Sequence, residues 1–364
     1  MARIKKIVVK IGTRLLTSKD NKLDEPHMDV LVSQLGDAVN SGIKVVLVSS
    51  GAIAAGVGLM GLKKRPMTMP GLQAAAAVGQ SRLMQVYDSL FSKRNITVAQ
   101  ILLTAEDLND RRRYINAKNT INELLDKNIV PIINENDTVS TEEIKFGDND
   151  RLSSLVANLV EADKLIILTD VKGLYDGQGR LVCRVDEITD EVKRWARGAT
   201  HDAAKGGMIT KILAAEVAAS SAISCYIADG RKSGILKELL YSDKPGEFTE
   251  FKVRSKKLKA KKSWIKFASK CEGKIIVDEG AKTALTQKNK SLLASGILDC
   301  DGKFGAGCTV KIADNNNKEF AVGITNYSSD DINKIKGLKT GAMTGILGSK
   351  HYDEVIHKDN LVML

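Results

Sequence analysis

Short apolar runs alternate with helical patterns along residues 1–250, and this alternation is what most constrains the fold. Runs of this length predict strands, and the longer periodic segments between them predict helices. Strands that alternate with helices form a mostly parallel sheet that is covered on both faces. The fold class is therefore α/β, a three-layer αβα sandwich. The predicted strands are Ile7–Lys10, Val45–Ser49, Ile96–Leu103, Ile129–Ile133, Leu165–Leu168 and, as the last, Cys225–Ala228.

The chain changes character after residue 250. Ten Lys and Arg residues lie between positions 252 and 274, which predicts a basic linker over 254–272. Beyond it, short β-like runs alternate with glycine-rich turns, at Lys274–Val277, Thr309–Ile312 and Phe320–Thr325. We therefore predict a first domain over 1–253 and a small β-rich domain over 273–364.

The positive charge of the chain is unevenly distributed. Residues 251–364 hold 21 Lys and Arg against 12 Asp and Glu, which places +9 of the total net charge of +11 there. Such an excess attracts nucleic acid, so RNA binding by this part is one alternative function. Trp264 and Phe267 are the few aromatic residues of the basic run that could stack on bases, so a solvated linker is the favoured interpretation.

Composition excludes several other classes of protein. No apolar run reaches about 18 residues, so we expect no membrane span. The five cysteines form no C-x-x-C pair, which argues against a disulfide framework or a zinc site and fits a reducing cytoplasm. The four histidines have no i, i+4 spacing, so a histidine-based metal site or triad is not expected.

An unusually polar loop follows the predicted strand Ile129–Ile133. It opens with Asn134-Glu-Asn-Asp137 and closes with Asp148-Asn149-Asp150. Ligands of open α/β sheets lie beyond the carboxyl ends of the strands, and polar groups at a buried strand end need partners. This loop is therefore predicted to bind a small polar ligand or a metal, in preference to being a solvated surface loop.

Other strand ends carry phosphate-binding chemistry. Lys10-Ile-Gly12 could place an ammonium group on a phosphate, although a surface lysine beside a turn glycine is the commoner arrangement. Ser50-Gly51 opens a helix, where an anion site and a simple capping serine are equally plausible. The G-x-G-x-x-G match at Gly56–Gly61 begins too far after its strand to bind a dinucleotide.

Two later segments complete the set of candidate ligand-binding segments at strand ends and helix starts. Thr169-Asp170 follows a buried strand, and Gly206-Gly207-Met208-Ile209-Thr210-Lys211 opens a helix. In isolation, the second is more typical of a glycine-rich turn before a solvated helix. Together, two lysines, a helix-opening Ser-Gly and an acidic loop at successive strand ends suit phosphoryl transfer, which depends on positioning and charge neutralisation.

The motifs in this order resemble those of the glutamate 5-kinase family of the amino-acid kinase superfamily, over the whole chain. The matching strings are 8–13, 50–56, 77–82, Asn134–Asp137, Gly147–Asp150, 169–175 and 206–211. The first two alone indicate only the superfamily, whereas the Asn-Glu-Asn-Asp and Gly-Asp-Asn-Asp strings point to this member. The second domain resembles a PUA domain that opens at Gly273.

The resemblance implies a catalytic domain of the amino-acid kinase fold that transfers phosphate from ATP, with Mg²⁺, to the γ-carboxylate of L-glutamate, the first step of proline biosynthesis. It implies catalytic roles for Lys10, Lys211 and Asp150, with Asp150 orienting both lysines. The implied glutamate-binding residues are Ser50, Asn134, Asp137, Asp148 and Asn149. The implied ATP-binding residues are Lys10, Thr169, Asp170, Lys205, Gly206, Gly207, Met208, Ile209, Thr210 and Lys211, and no residue is assigned to a metal.

The resemblance also has implications for partners. It implies a homo-oligomer (a dimer or a tetramer), feedback inhibition by proline at the glutamate pocket and Met67–Gln80, and glutamyl-phosphate reductase as the functional partner. The alternative within the superfamily is a kinase for acetylglutamate, aspartate or a nucleoside monophosphate. One departure is that Ala204-Lys205 stands where the family has Gly-Thr. We hypothesise that Lys205 places a charge on the nucleotide phosphates, which an unchanged ATP KM in Lys205→Thr would contradict.

Overall fold

The computed structural model describes residues 4–18, 22–140, 148–197, 207–242, 245–252, 260–267, 271–347 and 352–364. The chain divides into two units: Met1–Leu108 with Arg112–Lys257, and Asn109–Arg111 with Leu258–Leu364. Within the described ranges, no helix combines the length and apolar character that crossing a membrane requires.

The described strands of the first unit form one eight-stranded sheet. They are β1 (Lys6–Ile11), β2 (Lys44–Val48), β3 (Val98–Leu103), β4 (Val130–Glu135), β5 (Lys164–Thr169), β6 (Arg184–Val185), β7 (Ser224–Asp229) and β8 (Phe248–Phe251). Their order in the sheet is β3-β4-β2-β1-β5-β7-β8-β6. Every neighbouring pair is parallel except β7–β8. The predicted α/β class with a mostly parallel sheet is confirmed.

The prediction that Cys225–Ala228 is the last strand of this sheet was wrong. Strand β8 lies antiparallel to β7, and the two-residue strand β6 pairs with β8. Both are too short to show a period, and their pairing depends on the neighbouring strand rather than on local sequence.

Helices cover both faces of the sheet. They are α1 (Thr13–Leu16), α2 (Glu25–Asn40), α3 (Ala52–Leu59), α4 (Met69–Ser92), α5 (Ala105–Asn109), α6 (Arg111–Asp126), α7 (Asp148–Val160), α8 (Asp190–Arg197), α9 (Met208–Ser220) and α10 (Ile235–Tyr241). The residues Ile7, Val9 and Ile11 of β1 share one buried cluster with residues of α2, α4 and α10. Alternation along a strand places Val8 and Lys10 on the other face, where α7 packs against β1. Lys10 therefore extends from the face of this central strand that α7 covers.

Helices α3 and α4 cross at unusually short range. A Cβ atom on Gly56 would lie 1.8 Å from the backbone oxygen of Ala75, and one on Gly79 would lie 1.8 Å from that of Ala52. Only glycine permits this approach. We predicted that the G-x-G-x-x-G match at Gly56–Gly61 does not bind a dinucleotide. The structure agrees with this prediction, because Gly56 lies inside a helix.

The second unit has its own five-stranded sheet and core. Its described strands are β9 (Cys271–Val277), β10 (Ile297–Asp301), β11 (Thr309–Ala313), β12 (Glu319–Ile324) and β13 (Leu361–Met363), and its described helices are α11 (Ala260–Phe267), α12 (Glu279–Lys288), α13 (Ser329–Ile335) and α14 (Met343–Leu347). The three predicted runs are strands β9, β11 and β12. Residues 254–259 and 268–270 of the predicted linker 254–272 lie outside the described residues, and α11 is a helix between these two stretches.

Candidate active site

Two lysines from distant parts of the chain meet at one carboxylate. Lys10 lies near the end of β1, Lys211 in the second turn of α9, and Asp150 in the first turn of α7. The Nζ of Lys10 is 2.7 Å from Oδ1 of Asp150, and the Nζ of Lys211 is 3.1 Å from its Oδ2. All three side chains are buried. The structure thus brings together the three residues that were predicted to be catalytic.

A fourth residue, Thr210, completes this lysine cluster of Lys10, Asp150, Thr210 and Lys211. Its Oγ1 is 2.7 Å from Oδ2 of Asp150 and 2.9 Å from the backbone oxygen of Gly207. A hydroxyl has one hydrogen to donate, so it satisfies one of these acceptors at a time. The cluster therefore connects the start of α9 to the first turn of α7.

The charges of the lysine cluster shift the pKa values of its members. Burial raises the pKa of the Asp150 carboxyl, but the attraction of Lys10 and Lys211 and the hydrogen bonds from Lys10 and Thr210 outweigh it and lower the pKa to about 2. Burial also lowers the pKa of the Lys10 ammonium; Asp150 opposes this effect and Lys211 adds to it. Asp150 is therefore ionised at neutral pH, as the counter-charge of two cations.

We expect Asp150→Asn to lower the free energy of unfolding by about 3 kcal/mol at pH 7, because it leaves buried ammonium groups without an anion. The carboxylate has a depressed pKa when folded, so its stabilisation is complete above pH about 4 and is lost as the pH falls through about 2. Urea denaturation of both proteins from pH 5 to pH 3 should show a difference that narrows below about pH 4. A difference that did not narrow over this range would contradict this account.

The start of α9 presents backbone donors next to the lysine cluster. Gly207 is the N-terminal cap and provides no side-chain hydrogen bond, and Met208, Ile209 and Thr210 form the first turn. The first-turn N–H groups of a helix have no partner within the helix and favour an anion. Lys205 and Gly206, which were also predicted to bind ATP, lie outside the described residues.

Ser50 follows β2 at the carboxyl end of the sheet. The cap of α3 is Gly51, whose positive φ of 96° suits glycine, so Ser50 is not the capping serine that the sequence left as an alternative. Ser50 is buried, and its hydroxyl has no hydrogen-bond partner among the described residues. It remains available to a ligand. Ser49, one residue earlier, has its Oγ 3.0 Å from the hydroxyl of Tyr87 in α4.

Polar residues also lie at the end of β4 and just beyond it, next to β2; Asn134 is the fifth of the six residues of β4. Asn134 is buried, and Asp137 lies in the following turn within the electrostatic influence of Arg65. The Oδ1 of Asn149, in the first turn of α7, is buried and has no partner within the described ranges. Asp148 opens α7, and its side chain lies outside the described residues. We refer to Ser50, Asn134, Asp137 and Asn149 as the polar cluster.

The end of β5 carries the last predicted pair. Thr169 is buried, and its hydroxyl is 3.2 Å from Oδ1 of Asp170. Burial raises the pKa of the Asp170 carboxyl, but hydrogen bonds, above all from Arg14 at 2.9 Å, outweigh it and keep the pKa below its ordinary value. These groups lie one strand from Lys10, because β1 and β5 are neighbours.

Sequence reasoning missed several residues that interact with the predicted ones or, in the case of Tyr87, with the adjacent Ser49. They are Arg14, Arg65, Gln80 and Tyr87. Gln80 lies in a string that was recognised as a motif without a role, and Arg14 directly follows the Lys10-Ile-Gly-Thr string. Their partners are distant in the sequence, so these interactions could not be found from spacing alone.

No group of three or more His, Cys, Asp or Glu side chains that could hold a metal occurs in the described part of the chain. Both oxygens of Asp150 already face ammonium groups. The described residues therefore do not fit a magnesium ion held by the protein.

Comparison with known proteins agrees with this geometry. Residues 5–229 match the amino acid kinase family, and residues 273–347 match the PUA domain. A protein called glutamate 5-kinase from Thermoanaerobacter sp. (strain X514) is 45% identical over 99% of this chain and 98% of its own. One with the same name from Moorella thermoacetica is 46% identical over 100% of this chain and 97% of its own.

A solved structure resembles the fold at lower identity. N-acetylglutamate synthase from Neisseria gonorrhoeae, complexed with coenzyme A and N-acetyl-glutamate, has a TM-score of 0.51 and 18% identity. The match covers 70% of this chain and 61% of that one, and it supports the fold alone. The two family matches and the relatives that align from end to end place the chain in the glutamate 5-kinase family.

Proposed function

We propose that the protein transfers the γ-phosphoryl group of ATP to the γ-carboxylate of L-glutamate, giving γ-glutamyl 5-phosphate, the first step of proline biosynthesis. The observation that carries this proposal is the lysine cluster, where Lys10 and Lys211 share Asp150 at the carboxyl end of the sheet. The full-length similarity to proteins called glutamate 5-kinase supports the choice of substrate.

The chemistry needs no general base. A glutamate side chain is ionised at pH 7, so its carboxylate oxygen attacks the γ-phosphorus directly and ADP leaves. The barrier is the approach of two anions, which fixed cations lower by offsetting the charge on the migrating group. Each ammonium has three N–H donors. Lys10 and Lys211 each contact Asp150, and each therefore keeps further N–H donors for phosphoryl oxygens.

The role of Asp150 is to position the lysines. Its two oxygens hold the two ammonium groups at a fixed separation, and its charge reduces their mutual repulsion. We propose that Thr169, Asp170 and the segment Lys205–Lys211 contact ATP. Magnesium belongs in this scheme as part of the substrate MgATP, coordinated by phosphates and water.

A hydroxylamine assay tests the proposed function, since hydroxylamine traps an acyl phosphate as a hydroxamate. In separate reactions, the protein is incubated with MgATP and either glutamate, acetylglutamate or aspartate, and the hydroxamate is measured. With a nucleoside monophosphate as the acceptor, ADP release is measured instead. We expect the highest kcat/KM with glutamate. A higher value with any other acceptor would establish the alternative kinase instead.

The carboxylate of Asp137 is proposed to attract the α-ammonium group of glutamate. We expect Asp137→Ala to raise the glutamate KM by about tenfold or more, with kcat and the ATP KM nearly unchanged, because a charge-assisted hydrogen bond is lost. Steady-state kinetics with each substrate varied measures this. Glu123→Ala is the control, because it removes an exposed carboxylate that pairs with Lys127. An unchanged glutamate KM in Asp137→Ala would remove the residue from the site.

RNA binding by the second domain is less well supported. Residues 251–270 hold nine Lys and Arg and no acid, whereas residues 271–364 hold 12 Lys and 12 Asp and Glu. The excess of +9 that the sequence suggested for the C-terminal part therefore lies before the PUA domain rather than in it. We propose 1–253 as the catalytic domain, 254–272 as the basic linker and 273–364 as the PUA domain.

The remaining proposals concern partners and location. An acyl phosphate hydrolyses readily, which supports glutamyl-phosphate reductase as the partner that consumes the product. We propose a homo-oligomer (a dimer or a tetramer) and inhibition by proline at the glutamate pocket and Met67–Gln80. The five cysteines are unpaired, which supports a reducing cytoplasm.

A further inference from the structure

Three polar side chains spaced seven residues apart form a stripe along α4. Gln73 donates to a backbone oxygen of the loop after β4 at 3.4 Å, Gln80 contacts Asn134, and the hydroxyl of Tyr87 is 3.0 Å from Oγ of Ser49. Seven residues are about two helical turns, so the three side chains share one face of the helix. That face of α4 lies along the edge of the polar cluster, and Gln80 is the middle residue of the three.

The orientation of the Gln80 amide follows from a single backbone group. The N–H of Glu135 donates to Oδ1 of Asn134 at 2.9 Å. A backbone N–H is only a donor, so the atom that it contacts must be the amide oxygen of Asn134. The nitrogen of Asn134 therefore faces Gln80 and donates to its Oε1 at 2.7 Å.

The amino group of Gln80 is consequently directed away from Asn134. Gln80 is half-buried, and its Nε2 has no hydrogen-bond partner in the ranges that the structure describes. Two N–H donors of fixed orientation thus remain open beside Asn134.

The polar cluster needs donors of this kind. L-glutamate carries two carboxylates, and the lysine cluster serves the one that accepts phosphate. Ionised Asp137 and Asp148 accept hydrogen bonds but do not donate them, and the amino group of Asn134 already gives one of its hydrogens to Gln80. Ser50 has a single hydrogen to offer and Asn149 has the amino group of its amide, so an α-carboxylate with two oxygens still has acceptor sites for a further donor.

We propose that Gln80 binds the α-carboxylate of the amino-acid substrate through its Nε2 amino group. The proposal deepens the proposed function and depends on it. Gln80 distinguishes an acceptor with an α-carboxylate from one without this charge, while Asn134 holds the Gln80 amide in the required orientation.

The test compares L-glutamate with L-isoglutamine, in which a neutral carboxamide replaces the α-carboxylate. Gln80→Glu retains an oxygen for Asn134 but replaces the donor with a negative charge. We expect kcat/KM for glutamate to fall by at least about tenfold, mainly through KM, and kcat/KM for isoglutamine to stay within about twofold. Gln80→Met, which has a similar size and no donor, should reduce the preference for glutamate in the same direction.

Gln73→Glu is the matched control, because it places the same charge on the same face of α4 two turns earlier. It should leave the glutamate-to-isoglutamine ratio of kcat/KM unchanged. Equal losses for both acceptors in Gln80→Glu and Gln80→Met would show that Gln80 acts only through Asn134 and would overturn the proposal, as would an undiminished preference for glutamate. If the unmodified protein forms no hydroxamate from glutamate, the proposed function itself fails, independently of these variants.

Discussion

Alanine at either Lys10 or Lys211 should lower the kcat of glutamate phosphorylation by about 100-fold to 1,000-fold, the magnitude seen when a fixed donor to a developing charge is removed. Both ammonium groups lie at the carboxyl end of the sheet and reach the same buried carboxylate at 2.7 and 3.1 Å. The KM for glutamate should change much less, because the lysines act on the migrating group. Hydroxamate formation under saturating substrates measures this effect.

Lys6→Ala is the matched control for the Lys10 variant. Lys6 is in the same strand and, four residues earlier, on the same face, but its Nζ donates to the backbone oxygen of Val160 at 2.7 Å, at the other end of the sheet. We expect its kcat to stay within about twofold of the unmodified protein, even if its stability falls. A full kcat in both Lys10→Ala and Lys211→Ala would refute the roles given to these lysines.

Gly79→Ala should lower the free energy of unfolding by at least about 3 kcal/mol, although alanine is by propensity the better helix former by about 1 kcal/mol. The added Cβ would lie 1.8 Å from the backbone oxygen of Ala52, so no side-chain rotation relieves the overlap. Helices α3 and α4 must separate, and α3 begins directly after Ser50 and Gly51. Activity should therefore fall together with stability, as measured by urea denaturation and the hydroxamate assay.

Ala77→Val provides the comparison for this variant. It adds two methyl groups to α4 at an exposed position, so we expect a loss below about 1 kcal/mol, from propensity alone. A Gly79→Ala protein as stable as the unmodified protein would show that the two helices separate at little cost. That result would contradict the close contact.

The hydrophobic pattern of the sequence was sufficient to predict the central strands of the sheet in the first unit, but not the strands at the edge of that sheet. Strands β1, β2, β4, β5 and β7 are buried on both faces and appear in the sequence as continuous apolar runs. Strand β8, Phe248-Thr-Glu-Phe251, has four residues, and its place depends on pairing with β7. Strands β10 and β13 of the second unit were missed for the same reason, since one is largely exposed and the other has three residues.

The residues of the candidate site also divide into those that the sequence located and those that it did not. Strand ends and helix starts located Lys10, Ser50, Asn134 and Lys211 from the sequence, because chain position alone places these elements at one edge of a parallel sheet. The contact of Asp150 with two lysines was implied by family resemblance and was not derivable from spacing. Gln80 was missed because α4 lies far along the chain from β4, and only the packed structure shows which of its faces meets Asn134.

The two-residue strand β6 has a consequence for how copies of the chain meet. It terminates the large sheet beside β8 and begins with the exposed, charged residue Arg184. A foreign strand that added itself along this border would gain few backbone hydrogen bonds, too few to offset the ordering of its own residues. The border is thus protected from fibril-like growth by brevity and charge.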